Sequence, residues 1–191
     1  IIKENKDNKF DLVHKQTTKA LVASIKGSGI KKCCYISILG AKEGSKNTCF
    51  SSRGFAEKLF LDSNMPSLIL QVPMVLGEGD YACEALKKNA LSRINFTFRK
   101  HSLEQPIYAE DIIDVINVDI NRTLKGNHSP SGIKALAGPT SLTREKLIMK
   151  VAKQLGANVK VLSLPLFLGY ILARISEMLF SHPPITRAML G

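Results

Sequence analysis

Thiols and imidazoles are the side chains in this chain that could do chemistry near neutral pH. The cysteines are Cys33, Cys34, Cys49 and Cys83, and the histidines are His14, His101, His128 and His182. No Cys-x-x-Cys pair occurs, and His101, His128 and His182 are scattered, so no metal site is expected. Cys33 and Cys34 are neighbours on a predicted strand and so point to opposite faces. Phosphate binding is the other chemistry to test. Gly77-x-Gly79 is not a dinucleotide fingerprint, because that needs a strand, a Gly-rich turn and a helix N-terminus in one βαβ unit.

The elements that must position such groups are legible as a strand–helix alternation. Residues 33–39 form a short apolar run ended by Gly40, read as a strand buried on both faces. A polar loop over 42–47 leads to a helix over 50–60 with Phe50, Phe55 and Leu59 at helical spacing. Asp62-Ser63-Asn64 and Pro66 stop that helix. Residues 10–26 read as an earlier helix whose inner face is Leu12, Val13, Thr17, Ala20, Leu21, Ser24 and Ile25. Residues 67–76 read as a second buried strand, with Pro73 where its ladder must break. Helices follow over 81–91 and 110–124, the latter with Ile112, Val115, Ile116, Val118 and Ile120 as its apolar side. Short strands are expected near 93–100, 132–137 and 159–162, and Thr143 can cap a helix that ends at Gly156. The fold class is therefore α/β, a mostly parallel sheet flanked by helices.

Composition narrows the partners. The 191 residues are 45% hydrophobic, enough for a packed core. The net charge is +11, which favours anionic partners such as nucleotide phosphates or acidic lipid. Residues 1–58 hold 12 basic and 5 acidic residues, and residues 129–191 hold 8 and 2. Aromatic residues are few, Trp is absent and no RNA-binding or zinc-finger spacing occurs, so a nucleic-acid module is not expected. Unpaired cysteines and the lack of a signal peptide fit a cytoplasmic or mitochondrial-matrix setting. The chain opens on Ile, which reads as a cut, processed or unrecorded N-terminus.

Five segments carry a likeness to a known family. They are the run from Asp11 to Val22; the segment Gly29-Ile30-Lys31-Lys32-Cys33-Cys34-Tyr35-Ile36-Ser37-Ile38-Leu39-Gly40-Ala41; Val72-Pro73 through Gly77-Glu78-Gly79-Asp80; Gln105-Pro106-Ile107-Tyr108-Ala109-Glu110-Asp111-Ile112; and Gly138-Pro139 with Leu142 to Leu147. In this order they resemble the extended and atypical short-chain dehydrogenases. The nearest branch is the one with NmrA-like proteins, NAD-dependent epimerases and dehydratases, and the dehydrogenase-like accessory subunit of respiratory complex I. The likeness runs from Phe10 almost to the end. It implies the second half of a Rossmann-type sheet plus a small C-terminal α/β lobe. Residues 1–92 would be the end of an NAD(P)-binding domain, and 93–191 a substrate lobe interleaved with the sheet. The family's Gly-rich turn precedes such a segment and is not found here, so the chain looks like the C-terminal part of such a protein.

The resemblance also implies a catalytic set, and the residues depart from it. Cys49 falls at the family's acid/base Tyr, with Phe50 the neighbouring alternative. Arg53 falls at the Lys four residues later, and Ile38 at the carbonyl-polarising Ser. Arg53 would lower the Cys49 pKa, yet a thiol lacks a phenol's reach and Ile38 cannot hydrogen-bond. Ser37 precedes Ile38 but should face the other side of the strand. Ser37, Arg53, Pro73 and His14 are the candidate residues beside an NAD or NADP cofactor, His14 standing where the family usually has Asn. Asp111 is expected to cap or open its helix, and Gln105 and Tyr108 to line a cleft. Three readings follow: a dinucleotide binder with impaired catalysis and a structural or regulatory role; an active NAD(P)-dependent oxidoreductase or epimerase with altered acid/base residues; or a cofactor-free scaffold. Residues 164–180 are strongly apolar, with only Arg174 and Glu177 charged. They are too short for a span and read as a core helix or one resting on a membrane surface or partner subunit.

Overall fold

The computed structural model describes residues 4–5, 7–127 and 130–190. His128 lies outside the described residues. Three parallel strands form the main sheet in the order β1 (Cys33–Ile38), β2 (Ser67–Val72), β7 (Gly132–Ala135). Cys33 pairs with Ser67 and Ile38 with Val72, while Leu68 pairs with Gly132 and Gln71 with Ala135. β2 is central, and its apolar run is buried almost throughout. Leu68, Leu70 and Val72 pack with Ile107 and Ile112, the latter on helix α4 (Ala109–Leu124).

β1 behaves differently. It is fully covered on one face only, α4 reaching the other just at Lys32 and Cys34, which corrects the expectation of burial on both. Tyr35 stacks on Phe60, and Ser37 is buried, but Ile36 is 47% exposed. β1 is an edge strand among the described residues, and the helix packed on it, α2 (Thr48–Leu61), lies on the side of the odd-numbered residues. Pro73 ends β2, and the chain then pairs β3 (Val75–Leu76) with β6 (Ile107–Tyr108) in a separate ladder. Lys32 and Asp119 form an almost buried ion pair at 2.6 Å that ties the start of β1 to α4.

The first helical segment was expected to bury Leu12 and Leu21; both are about half exposed. It begins as a π-helical turn, Asp11–Gln16, and continues as α1, Thr17–Ile25. The wider turn shifts the helix phase, so Phe10, His14, Thr18 and Ile25 face inward instead. On α4, Ile112 is buried and Val115 and Ile116 are half-buried, whereas Val118 and Ile120 stay about half exposed.

A second core holds the rest. Leu86 of α3 (Tyr81–Leu91), Leu147 and Ile148 of α5 (Arg144–Gln154) and Val161 of β9 (Lys160–Leu164) pack together. β9 pairs in parallel with β4 (Ile94–Phe98), and β5 (Leu103–Glu104) pairs antiparallel with β8 (Leu142–Thr143). Asp80 caps α3 by accepting from the Ala82 and Cys83 amides, and Thr143 caps α5 by accepting from the Lys146 amide. Helix α6 (Leu166–Leu179) follows β9.

Helix α2 is fixed by a buried polar cluster. Glu57 is 2% exposed and has no cation beside it in the cluster; its carboxylate accepts from the Ser37 hydroxyl and, at 3.0 Å to each oxygen, from the Gln71 amide. Gln71 also donates to the Ala41 carbonyl at 3.1 Å. A buried carboxylate is tolerated only when its acceptor sites are filled. Three turns of chain thereby share one anchor. Gly54 on the same helix lies against the backbone of Lys42 and Glu43, which a Cβ would strike. Glu57→Ala should lower stability by about 2–4 kcal/mol, because it strands the Gln71 and Ser37 donors as well as removing the acceptor. Gly54→Ala should cost about 1–3 kcal/mol, because the obstruction is backbone that cannot swing away. Chemical denaturation measures both; a loss under about 0.5 kcal/mol in either would contradict the packing described.

Candidate functional site

The loop before α2 sets up the site. Gly40, in the left-handed region at φ 86°, turns the chain out of β1. Asn47 then caps α2, its side-chain oxygen accepting from the Cys49 and Phe50 amides at 2.9 and 3.4 Å. Its amide nitrogen donates to the Ala188 carbonyl at 3.0 Å, joining the helix start to the C-terminal segment. Between them lies a cavity of about 920 Å³. Phe10, Phe50, Tyr170 and Phe180 supply its aromatic wall, and Lys9, Lys46 and Arg187 its cations. Arg187 is held by Glu177 at 2.8 Å. Nothing in the sequence reading pointed to Asn47, Glu57 or this C-terminal wall; the Asn-Thr before an apolar helical run was the one available signal, a helix cap.

The structure separates the two residues that compete for the family's acid/base position. Phe50 lines the cavity. Cys49 is 6% exposed and is not part of the cavity wall. Burial pushes its thiol above the ordinary value, and the nearby Arg53 only partly offsets this. Arg53 lowers the thiol, as expected of it, but desolvation of the thiolate outweighs that one cation and the net shift is upward. The cavity wall at this point is a phenyl ring with no proton to transfer.

Arg53 lies elsewhere, along β1. One guanidinium nitrogen donates to the Tyr35 hydroxyl at 3.0 Å and to the Ile36 carbonyl at 3.3 Å. The position of that carbonyl matters. The Cys33 amide donates to Pro66 and the Leu39 amide to Val72, so the odd-numbered peptide groups of β1 point at β2. The groups of Cys34, Ile36 and Ile38 therefore point to the open edge. Arg53 satisfies the Ile36 carbonyl and the Ala41 amide the Ile38 carbonyl, while the Nε of Arg53 is buried without a partner.

The remaining candidates spread out. Ser37 faces α2, as its strand parity requires, and is occupied by Glu57. His14 is buried, stacks on Phe10 and is 2.8 Å from the Ser52 hydroxyl, which itself donates to the Cys49 carbonyl. It thus braces the first turns of α2. Pro73 is half-buried in the break between β2 and β3. Gln105 donates to the Gly138 carbonyl at 2.6 Å, and Tyr108 is about half exposed, so neither lines the cavity. Asp111 stands in the first turn of α4, where its charge suits the helix dipole. Among the described residues no group of three or more His, Cys, Asp or Glu is placed to hold a metal ion. The Nε of Arg53 is a buried donor without a partner, and no described residues form a Gly-rich cradle for a pyrophosphate.

The inward setting of Cys49 is open to labelling. Iodoacetamide at neutral pH should modify the exposed Cys34 first, and Cys49 at least about tenfold more slowly, as peptide mass spectrometry would record. Equal rates would place Cys49 on the accessible surface and contradict the structure.

No family model and no curated protein matches this sequence. Solved structures do match. UDP-glucose 4-epimerase from Thermus thermophilus, in complex with NAD, superposes with a TM-score of 0.64 at 16% identity, over 81% of this chain and 58% of that one. RMD from Pseudomonas aeruginosa, complexed with NADPH, gives 0.63 at 13% identity, over 81% and 59%. The dTDP-glucose 4,6-dehydratase DesIV from Streptomyces venezuelae, with NAD bound, gives 0.63 at 14% identity, over 80% and 53%. The chain thus spans little more than half the length of these proteins. Over about four-fifths of its own residues, this chain has the Rossmann-like fold of the NAD-dependent epimerases and dehydratases.

Proposed function

We propose that this chain is the C-terminal part of an NAD(P)-binding protein of the short-chain dehydrogenase kind, one with impaired catalysis and a structural or regulatory role. The observation that carries the reading is the division of labour on α2. Arg53 lies across the open edge of β1 with a buried Nε to spare, while Phe50 occupies the place facing the cavity. A guanidinium there is suited to a ribose or phosphate oxygen. A phenyl ring there cannot act as acid or base. In this reading a further strand pairs with β1, and residues outside the chain hold the pyrophosphate on a Gly-rich turn. The fold neighbours are consistent with it, since they were solved with NAD or NADPH.

An active oxidoreductase would need Cys49 to reach substrate, and its burial weighs against that. The test is titration of the full-length protein with NADH and NADPH, followed by fluorescence and thermal shift. Binding is expected, with no dinucleotide oxidation in the presence of nucleotide-sugar or carbonyl substrates. Arg53→Met should weaken binding about tenfold, the worth of one charge-assisted hydrogen bond. No shift with any dinucleotide would overturn the binding role. Turnover that Cys49→Ser abolishes would overturn the impairment.

A further inference from the structure

Helix α6 is packed with its small side inward. Gly169, Ala173 and Ser176 are its buried residues. Gly169 allows the close approach, since a Cβ there would stand 3.0 Å from the Phe98 ring. The large apolar residues face away: Phe167 is 67% exposed, Ile171 50%, Leu172 45% and Ile175 48%. At 3.6 residues per turn these four fall within an arc of about 140°. Arg174 and Tyr170 border that arc on the side away from Leu172.

Strand β4 continues the same surface. Ile94 and Phe96 alternate onto the face of Phe98, the ring that α6 covers, and both are half exposed or more. In the β4–β9 ladder Lys160 pairs with Ile94, which puts this exposed cation on that face too. Two cations are placed beside this surface, Arg174 on α6 and Lys160 on β9, while the one acid of α6, Glu177, is engaged by Arg187.

The geometry points to a docking face for an anionic lipid bilayer: we propose that α6 lies in the plane of the membrane surface. Its apolar arc enters the boundary between headgroups and acyl chains, with Ile94 and Phe96 beside it, and Arg174 and Lys160 meet the lipid phosphates. The helix has 14 residues, about 21 Å, against a hydrocarbon core of about 30 Å. No helix among the described residues is long and apolar enough to cross a membrane, so α6 lies on the bilayer rather than through it. A basic rim fits a uniformly negative surface; a protein partner would more commonly meet a rim of mixed sign. The inference stands apart from dinucleotide binding, because it uses no residue of α2 or β1.

Flotation with phosphatidylcholine vesicles, with and without phosphatidylserine, tests it. The protein should float with the phosphatidylserine vesicles and be released by high salt. The double substitution Ile171→Glu/Ile175→Glu should cut binding at least about tenfold, since each exposed Ile would otherwise be buried in lipid. Because both residues are exposed, the thermal midpoint should stay unchanged; Lys160→Glu, a change confined to the rim, should reduce binding in the same direction without touching the apolar arc. Absence of binding to either vesicle, or binding that both variants leave intact, would overturn the proposal. So would a wild-type dimer that the double substitution dissociates without lipid, which would make the face a protein interface.

Discussion

A carboxylate inside the protein organises the sheet–helix layer. Glu57 cannot stay charged and buried without donors, and Ser37 from β1 and Gln71 from β2 supply them. One side chain therefore registers α2 against two strands at once. The Gln71 amide, shared with the Ala41 carbonyl, adds the loop that turns into the helix. Everything on α2 takes its position from that anchor. One turn earlier in the helix Arg53 meets the edge of β1; two turns earlier the chain divides, with Phe50 toward the cavity and Cys49 away from it. His14 secures the same turn from outside through Ser52.

In the reading proposed above, the frame is dehydrogenase-like and its reactive positions hold unreactive groups. In the dehydrogenase pattern a phenol and an ammonium share the first turns of this helix. Here a phenyl ring faces the cavity, and a guanidinium is spent on the Tyr35 hydroxyl and the Ile36 carbonyl. Burial raises the thiol that might have substituted for the phenol. Binding geometry and proton transfer are separable properties of such a site, and the proposed function rests on the first. The cavity wall also joins the start of α2 to the segment after α6, through the bond from Asn47 to the Ala188 carbonyl.

Much of this was legible from residue patterns. The alternation of strands and helices, the break at Pro73, the cap at Thr143 and the central burial of β2 follow from local chemistry and appear in the structure. What failed has a common cause: the pattern says which residues are apolar but not which face has a neighbour. β1 reads as doubly buried because Cys33 to Leu39 is apolar but for Ser37, yet its even face is covered by α4 only near Cys34 and leaves Ile36 47% exposed. In the first helix only Ile25 of the expected face is buried, because the polar His14 and Thr18 turn inward through the π-helical turn and the bond to Ser52. α6 shows the reverse: a strongly apolar stretch whose small residues, not its large ones, are buried. The polar cluster at Glu57 does not show in the pattern because Ser37, Glu57 and Gln71 stand 14 to 34 positions apart, and only the parity of β1 and β2 brings them together.

The central claim is that β1 presents an open edge at Cys34, Ile36 and Ile38, held ready by Arg53. Amide hydrogen exchange resolved along β1 tests it most directly. The structure predicts alternation: the Cys33, Tyr35, Ser37 and Leu39 amides, which face β2, exchange slowly, and those of Cys34, Ile36 and Ile38 exchange far faster. In a longer protein whose sheet continues past β1, the second set should become protected as well. Uniform slow exchange along β1 in this 191-residue chain would mean that the edge is already closed, and would contradict the account.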